Sequence, residues 1–229
     1  SNQEYLKMFI EAKQIEGCSA RTLQYYQVTI EHLLKNIDTV IRKITTDEIR
    51  TYLAEYQQRN NCSKVTVDNV RRNISSFFSW LEEEDYILKS PMRRIHKIKT
   101  KQPVKEIISD EMIERLRDNC RCSRDLAMID LLYSTGIRVG ELVGLNISDI
   151  DFEERECVVY GKGDKERRVY FDAKAKLHLQ NYINSRTDTN PALFVTLDSP
   201  YERLKISGVE IRVRELGRKL NIEKIHPHK

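Results

Sequence analysis

Apolar residues recur at helical spacing through the N-terminal part of the chain. Between Glu4 and Glu16 they are Tyr5, Met8, Phe9 and Ala12, and Gly17 stops the run. Ser19 is placed to cap a second helix with a stripe of Leu23, Tyr26, Ile30, Leu33 and Leu34. Thr45 and Glu48 have capping-box spacing, which predicts a third helix through Ile49, Tyr52 and Leu53. Ser63 caps a fourth and long one. Its Val67, Val70, Ile74, Phe77, Phe78 and Leu81 share one face, with Asn69, Arg71, Arg72, Asn73 and Ser76 on the others. Four amphipathic helices of this kind predict a bundle over residues 1–92.

The pattern then breaks. From Tyr86 to Lys105 there are seven basic side chains (Lys89, Arg93, Arg94, Lys97, Lys99, Lys101 and Lys105) and no acidic one. Pro91 and Pro103 prevent one continuous helix. Residues 93–106 read as a basic connector between two domains. An ordinary solvated linker is the alternative, but uncompensated positive charge repels itself unless an anion is present, and a phosphate backbone supplies one.

Helical patterning resumes at residues 107–229. Ser109, Asp110 and Glu111 open a helix with acidic residues at its positive end. A buried helix from Arg124 through Leu132 ends at Gly136, and a short one follows over Arg138–Val143. Cys157–Tyr160 and Arg168–Phe171 alternate as strands around a glycine-rich turn, which predicts an antiparallel hairpin. Two more helices are expected, over Ala173–Ser185 and Ser207–Leu220, the latter opened by a capping box of Ser207 and Glu210. The fold class is mainly α with a small antiparallel β-hairpin or sheet, in two domains.

Composition adds limits rather than a function. In 229 residues, 39 Lys and Arg are nearly balanced by 35 Asp and Glu, so the +4 net charge matters less than its distribution. Five scattered cysteines lack zinc-site spacing and read as reduced thiols in a cytoplasmic protein; no metal site is expected. No apolar run reaches the ~20 residues needed to span a bilayer, so no membrane partner is expected.

Three stretches carry chemistry. In STGIRVGELVGLNISDIDFEE, Ser134 to Glu154, Arg138 follows a helix break and precedes Glu141 by three residues. A planar guanidinium there can grip two nonbridging phosphate oxygens at once. In VVYGKGDKERRVYF, Val158 to Phe171, Lys162 and Lys165 sit at a hairpin tip. The third stretch is Ile225-His226-Pro227-His228-Lys229.

Together these strings resemble the tyrosine recombinase, or phage integrase, family. The resemblance spans the chain, is most specific over Ser134–Phe171 and is loose over the bundle, which is similar to the family's SAM-like core-binding domain. It implies a SAM-like DNA-binding domain followed by the catalytic domain. It identifies Arg138 as the first phosphate-clamping arginine and Lys162 as the minor-groove lysine that protonates the leaving 5′ oxygen. Lys165 is the rival for that role and otherwise a phosphate contact. His228, directly after Pro227, fits the family's His-x-x-Arg histidine, with His226 as a plain loop histidine. The second arginine would fall two residues beyond Lys229, and the tyrosine nucleophile further on, so the chain reads as C-terminally truncated and expected to bind DNA without cutting it.

The implied activity is site-specific recombination, as in integration, excision or dimer resolution by a mobile element or chromosome, through a 3′-phosphotyrosine. It runs on double-stranded DNA, as a homo-tetramer, with no cofactor. Candidate DNA contacts are Lys97, Lys99 and Lys101 of the connector, Lys165 of the hairpin, and the loosely matching Ser19, Arg21, Thr22, Lys64, Thr66, Asn69 and Arg72 of the bundle; for each of the bundle residues taken singly a solvated helix face reads at least as well. Two rival readings are a non-catalytic protein occupying recombinase sites and a type IB topoisomerase relative.

Overall fold

A computed structural model describes residues 1–100, 108–161 and 165–220. The chain divides into two compact units, Ser1–Pro103 and Val104–Lys229.

The N-terminal unit holds four helices: α1 (Asn2–Ile15), α2 (Ala20–Asn36), α3 (Thr46–Arg59) and α4 (Lys64–Glu83). Each start is fixed by a short polar side chain that meets an orphan backbone N–H. Ser19 accepts from the Thr22 N–H, Ser63 from that of Thr66, and Thr45 and Glu48 form the reciprocal box. Gly17, at φ +84°, turns the chain out of α1 in a conformation that favours glycine. The core is aromatic at its centre: Phe9, Phe77 and Phe78 are fully buried, and Phe9 meets Phe77 edge-on with centroids 5.2 Å apart. Replacing Thr45 by Ala is expected to lower the unit's unfolding free energy by about 1 kcal/mol, measured as a shift in its denaturant midpoint.

The start of the basic connector lies on this bundle. A 3-10 turn at Pro91–Arg94 buries Met92, and the Thr46 hydroxyl donates to the Pro91 carbonyl at 2.7 Å. Ile95 and Ile98 also pack against the bundle core. Arg93 is neutralised by Glu82 of α4, whereas Lys97 and Lys99 are exposed and in no ion pair among the described residues. Lys101 lies outside the described residues.

The C-terminal unit is built from α5 (Asp110–Asp118), α6 (Ser123–Thr135), α7 (Val139–Gly144), β1 (Ile150–Asp151), β2 (Glu156–Tyr160), β3 (Glu166–Tyr170), α8 (Ala173–Asn184) and α9 (Ile206–Lys219). The expected hairpin is present and is joined by β1, a two-residue strand, giving an antiparallel sheet of order β1-β2-β3. In its register Cys157 faces Val169 and Val159 faces Arg167. Gly136, at φ +62°, ends α6 and frees the chain to start α7 three residues later, with Arg138 as its N-cap.

The expected Ser207–Glu210 capping box is not formed. Helix α9 begins at Ile206 with Lys205 as its N-cap, so Ser207 already lies inside the first turn. Tertiary structure sets that start. The Leu204 N–H donates to the Phe194 carbonyl at 2.9 Å and Val195 bridges Arg203, holding the chain extended up to the helix.

Helix α6 carries two carboxylates with no solvent exposure. Asp125 is bracketed by Arg124 and Arg212, and Asp130 by Arg117 and His178. Burial drives the Asp125 carboxyl up, but the two guanidiniums outweigh it and hold it below the usual range. Burial also pushes the Cys120 thiol up to about 12 and that of Cys157 to about 11, so both stay protonated at neutral pH. Among the described residues no helix is long and apolar enough to cross a membrane.

Candidate phosphate-binding site

Arg138 occupies the N-cap position of α7, in extended backbone conformation at φ −74° and ψ 151°. Its N–H would be an orphan there, and Glu141, one turn on, accepts it at 2.8 Å. The same carboxylate takes one N–H of the Arg138 guanidinium at 3.1 Å. Arg167 of β3 completes the cluster with a bidentate pair at 2.7 and 2.9 Å. Each Glu141 oxygen thus accepts two hydrogen bonds. Burial raises the Glu141 carboxyl, but Arg167 foremost and then the Arg138 backbone and side chain hold it below its ordinary range.

The exposures divide the roles. The Glu141 side chain is 4% exposed, that of Arg167 39% and that of Arg138 65%. Glu141 is a buried post, and Arg138 presents the rest of its donor fork to solvent, tethered by one N–H of its five. Two guanidiniums and one carboxylate leave the cluster with one net positive charge, open to an anion.

The hairpin neck adjoins this cluster. The Gly161 N–H donates to the Lys165 carbonyl at 2.8 Å, with residues 162–164 between them. A Cβ at Gly161 would lie 3.6 Å from Glu141 Oε1 and 3.7 Å from Arg167 Nη1. Lys165 is exposed at the neck. Lys162 and His228, the other two candidates in this half, fall outside the described residues.

Helix α7 is held at its far end as well. Arg203 donates to the carbonyls of Val143 at 2.8 Å and Leu145 at 3.0 Å and to the Asn146 side chain. Neither Arg167 nor Arg203 was singled out from sequence.

Comparison with known proteins places the chain as a whole. Residues 104–229 match the Phage integrase family, and residues 5–88 match the Phage integrase N-terminal SAM-like domain. The chain belongs to the phage integrase family. Among relatives of this integrase-family chain, the tyrosine recombinase XerC of Thermodesulfovibrio yellowstonii is 31% identical over 242 residues, covering 100% of the chain and 80% of the relative. The XerC of Oceanobacillus iheyensis is 29% identical over 245 residues, covering 98% and 79%. Among solved structures, a lambda integrase tetramer bound to a Holliday junction superimposes with a TM-score of 0.74 at 20% identity, over 97% of this chain and 66% of that one, and so shares the fold. The expected SAM-like and integrase halves are thereby established.

In the N-terminal unit the remaining candidates sit on α2, α4 and the connector. Ser19, Arg21 and Thr22 are exposed at the start of α2, and Lys64 and Arg72 are exposed on α4. Asn69 is half-buried and accepts from the Arg72 guanidinium, and Thr66 is half-buried beside its cap. Lys64 and Lys99 line one groove with Ser63, Val65 and Thr100.

All eleven tyrosines lie among the described residues. Tyr52 is buried with its hydroxyl 2.8 Å from His32 Nδ1, and burial raises its pKa. Tyr133 donates to Asp110 at 2.5 Å, and that carboxylate keeps the phenol protonated. Tyr160 and Tyr170 face solvent from the strands. Within the C-terminal unit no tyrosine hydroxyl bonds to Arg138, Glu141 or Arg167 among the described residues.

Proposed function

We propose that this sequence supplies the DNA-holding surface and part of the phosphate clamp of a site-specific recombinase acting through a 3′-phosphotyrosine. The observation that carries the reading is the doubly bonded Glu141, which fixes an exposed Arg138 beside the neck of the hairpin that bears Lys162. In the reaction a tyrosine oxygen bonds to the scissile phosphorus while the bond to the 5′ oxygen breaks. Arg138 meets the charge that builds on the nonbridging oxygens. Lys162 delivers a proton to the departing oxygen, a contribution of ~10²–10⁴-fold in general acid catalysis. His228 assists proton transfer. The phosphotyrosyl ester conserves the bond energy, and the free 5′ hydroxyl reverses the step on a new partner strand. No cofactor enters.

The partner is double-stranded DNA, engaged by a homo-tetramer, the state in which lambda integrase was crystallised on a junction. The 229-residue polypeptide alone is expected to bind duplex without cutting it, in keeping with a C-terminal unit in which no tyrosine hydroxyl bonds to Arg138, Glu141 or Arg167 among the described residues. Residues 1–92 are the core-binding domain, 93–106 the linker and 107–229 the catalytic part.

Duplex binding is the test. Lys64→Ala and Lys99→Ala are each expected to weaken binding equally on all sequences and to lower the slope of log affinity against log salt by about 1. Titrations of a labelled duplex by fluorescence anisotropy, from low to moderate salt, measure this. Unchanged slopes would remove α4 and the connector from the interface.

A further inference from the structure

Asp68 of α4 is the acidic residue buried in the N-terminal unit, 6% exposed, and its partner Arg71 is nearly as buried, whereas Lys64, Arg72 and Glu83 of the same helix are exposed. Its Oδ1 accepts from Arg71 Nε at 2.7 Å and from the backbone N–H of Ile98 at 3.0 Å. Its Oδ2 lies 3.7 Å from Arg72 Nε. The Arg71 guanidinium above all keeps this carboxyl ionised below its ordinary range, against burial and with help from the Ile98 N–H and Arg72. One buried carboxylate therefore joins α4 to a backbone segment thirty residues further on.

That segment carries Lys97 and Lys99 on either side of the held N–H. Just past it, Lys99 and Thr100 line a groove of about 560 Å³ with Ser63, Lys64 and Val65 of α4. Lys64, Arg72, Lys97 and Lys99 are all exposed. Lys97 and Lys99 find no ion-pair partner among the described residues, and like charge on Lys64 and Arg72 of α4 repels them. Asp68 supplies the missing anion, and it does so from beneath, buried where it does not itself meet a ligand.

We infer that Asp68 is a positioning residue for DNA: through Arg71, Arg72 and the Ile98 N–H it aligns the connector lysines with Lys64 into a single track for one duplex phosphate backbone. This rests on the DNA-binding reading above. It makes a prediction of unusual sign. Asp68→Asn removes a negative charge from a basic surface, so simple electrostatics predicts tighter binding. Loss of alignment predicts weaker binding.

The experiment uses the full chain and a fluorescein-labelled random-sequence duplex of about 30 base pairs, titrated at several salt concentrations. Asp68→Asn is expected to weaken binding about 5–10-fold at moderate salt and to reduce the salt slope by 1 to 2, as phosphate contacts are lost. Glu83→Gln, which makes the same charge change at an exposed position on the same helix, is expected to bind as tightly as the native chain or slightly more tightly. Hydrogen exchange at the Ile98 amide reports the clasp without DNA, protected in the native chain and fast in Asp68→Asn. Should Asp68→Asn not fold, Ile98→Pro deletes the N–H while sparing the Asp68–Arg71 pair and is expected to give the same loss. Binding by either folded variant as tight as native, with an unchanged slope, would overturn the assignment. A native chain with no affinity for the duplex would overturn the DNA reading itself, and with it the role given to Asp68.

Discussion

In a polypeptide carrying this sequence together with the family's tyrosine, Arg138→Ala is expected to reduce DNA cleavage ~10³-fold, the scale on which preorganised donors act on transition-state charge. The expectation comes from how the side chain is held. One guanidinium N–H is spent on Glu141, and the side chain is 65% exposed, so the rest of the fork is open to substrate. Substrate phosphate carries its charge before reaction as well as during it, and Arg138 is one cation among several that meet the duplex. Duplex affinity is therefore expected to change by no more than about 3-fold. Stability is expected to hold too, because Glu141 keeps its bidentate partner Arg167 and its bond from the residue 138 N–H. A suicide duplex, nicked so that the cleaved end is lost, traps the covalent complex for counting on a denaturing gel. Undiminished covalent complex would show that Arg138 is not the phosphate clamp. A parallel loss of affinity would make it a binding residue.

What could be read from the sequence was what is local. Helix caps such as Ser19, Thr45 and Ser63 act within one turn, and the α4 stripe from Val67 to Leu81 is fixed by a repeat of 3.6 residues; both stand as expected. The buried carboxylates were not legible. Asp68, Asp125 and Asp130 occupy helical positions that periodicity assigns as readily to solvent as to core. What buries them comes from far along the chain: Ile98 thirty residues on for Asp68, Arg212 eighty-seven residues on for Asp125. The Ser207 cap misled for the same reason, since a distant hydrogen bond to Phe194 set the helix start.

Arg167 was a different kind of omission, because a signal for it existed. Strand alternation places Val169 inward, and Arg167 falls on the same face opposite the buried Val159. A charged residue at an inward strand position requires an opposite charge. The Glu141 noted three residues after Arg138 was available to answer it. Together the inward Arg167 and Glu141 imply the cluster from sequence alone.

Glu141→Gln tests whether that cluster is one unit. Glutamine keeps a single acceptor oxygen where the carboxylate has two fully used ones, and turns an NH₂ group toward guanidinium N–H donors. The local charge rises from one positive to two with nothing to balance it. Stability of the C-terminal unit is expected to fall by about 1 kcal/mol at neutral pH, the loss of charged hydrogen bonds to the buried residue 141 side chain from guanidiniums that water partly reaches. The pH dependence follows from the sign of the shift. The folded carboxyl is held below its ordinary value, so its contribution is fully present above an unfolded pKa of about 4.3 and fades as pH falls through the lower folded value. The gap between native and variant denaturant midpoints should be constant from pH 7 down to about 5 and narrow below about 4. With Arg138 no longer fixed, cleavage is expected to drop ~10–100-fold while affinity stays near native, since misplacement of a positioned group costs rate before it costs binding. A variant that loses stability but cuts normally would make Glu141 a helix cap and nothing more. A midpoint gap that persists unchanged at low pH would show that the interaction lost was never that of a charged carboxylate.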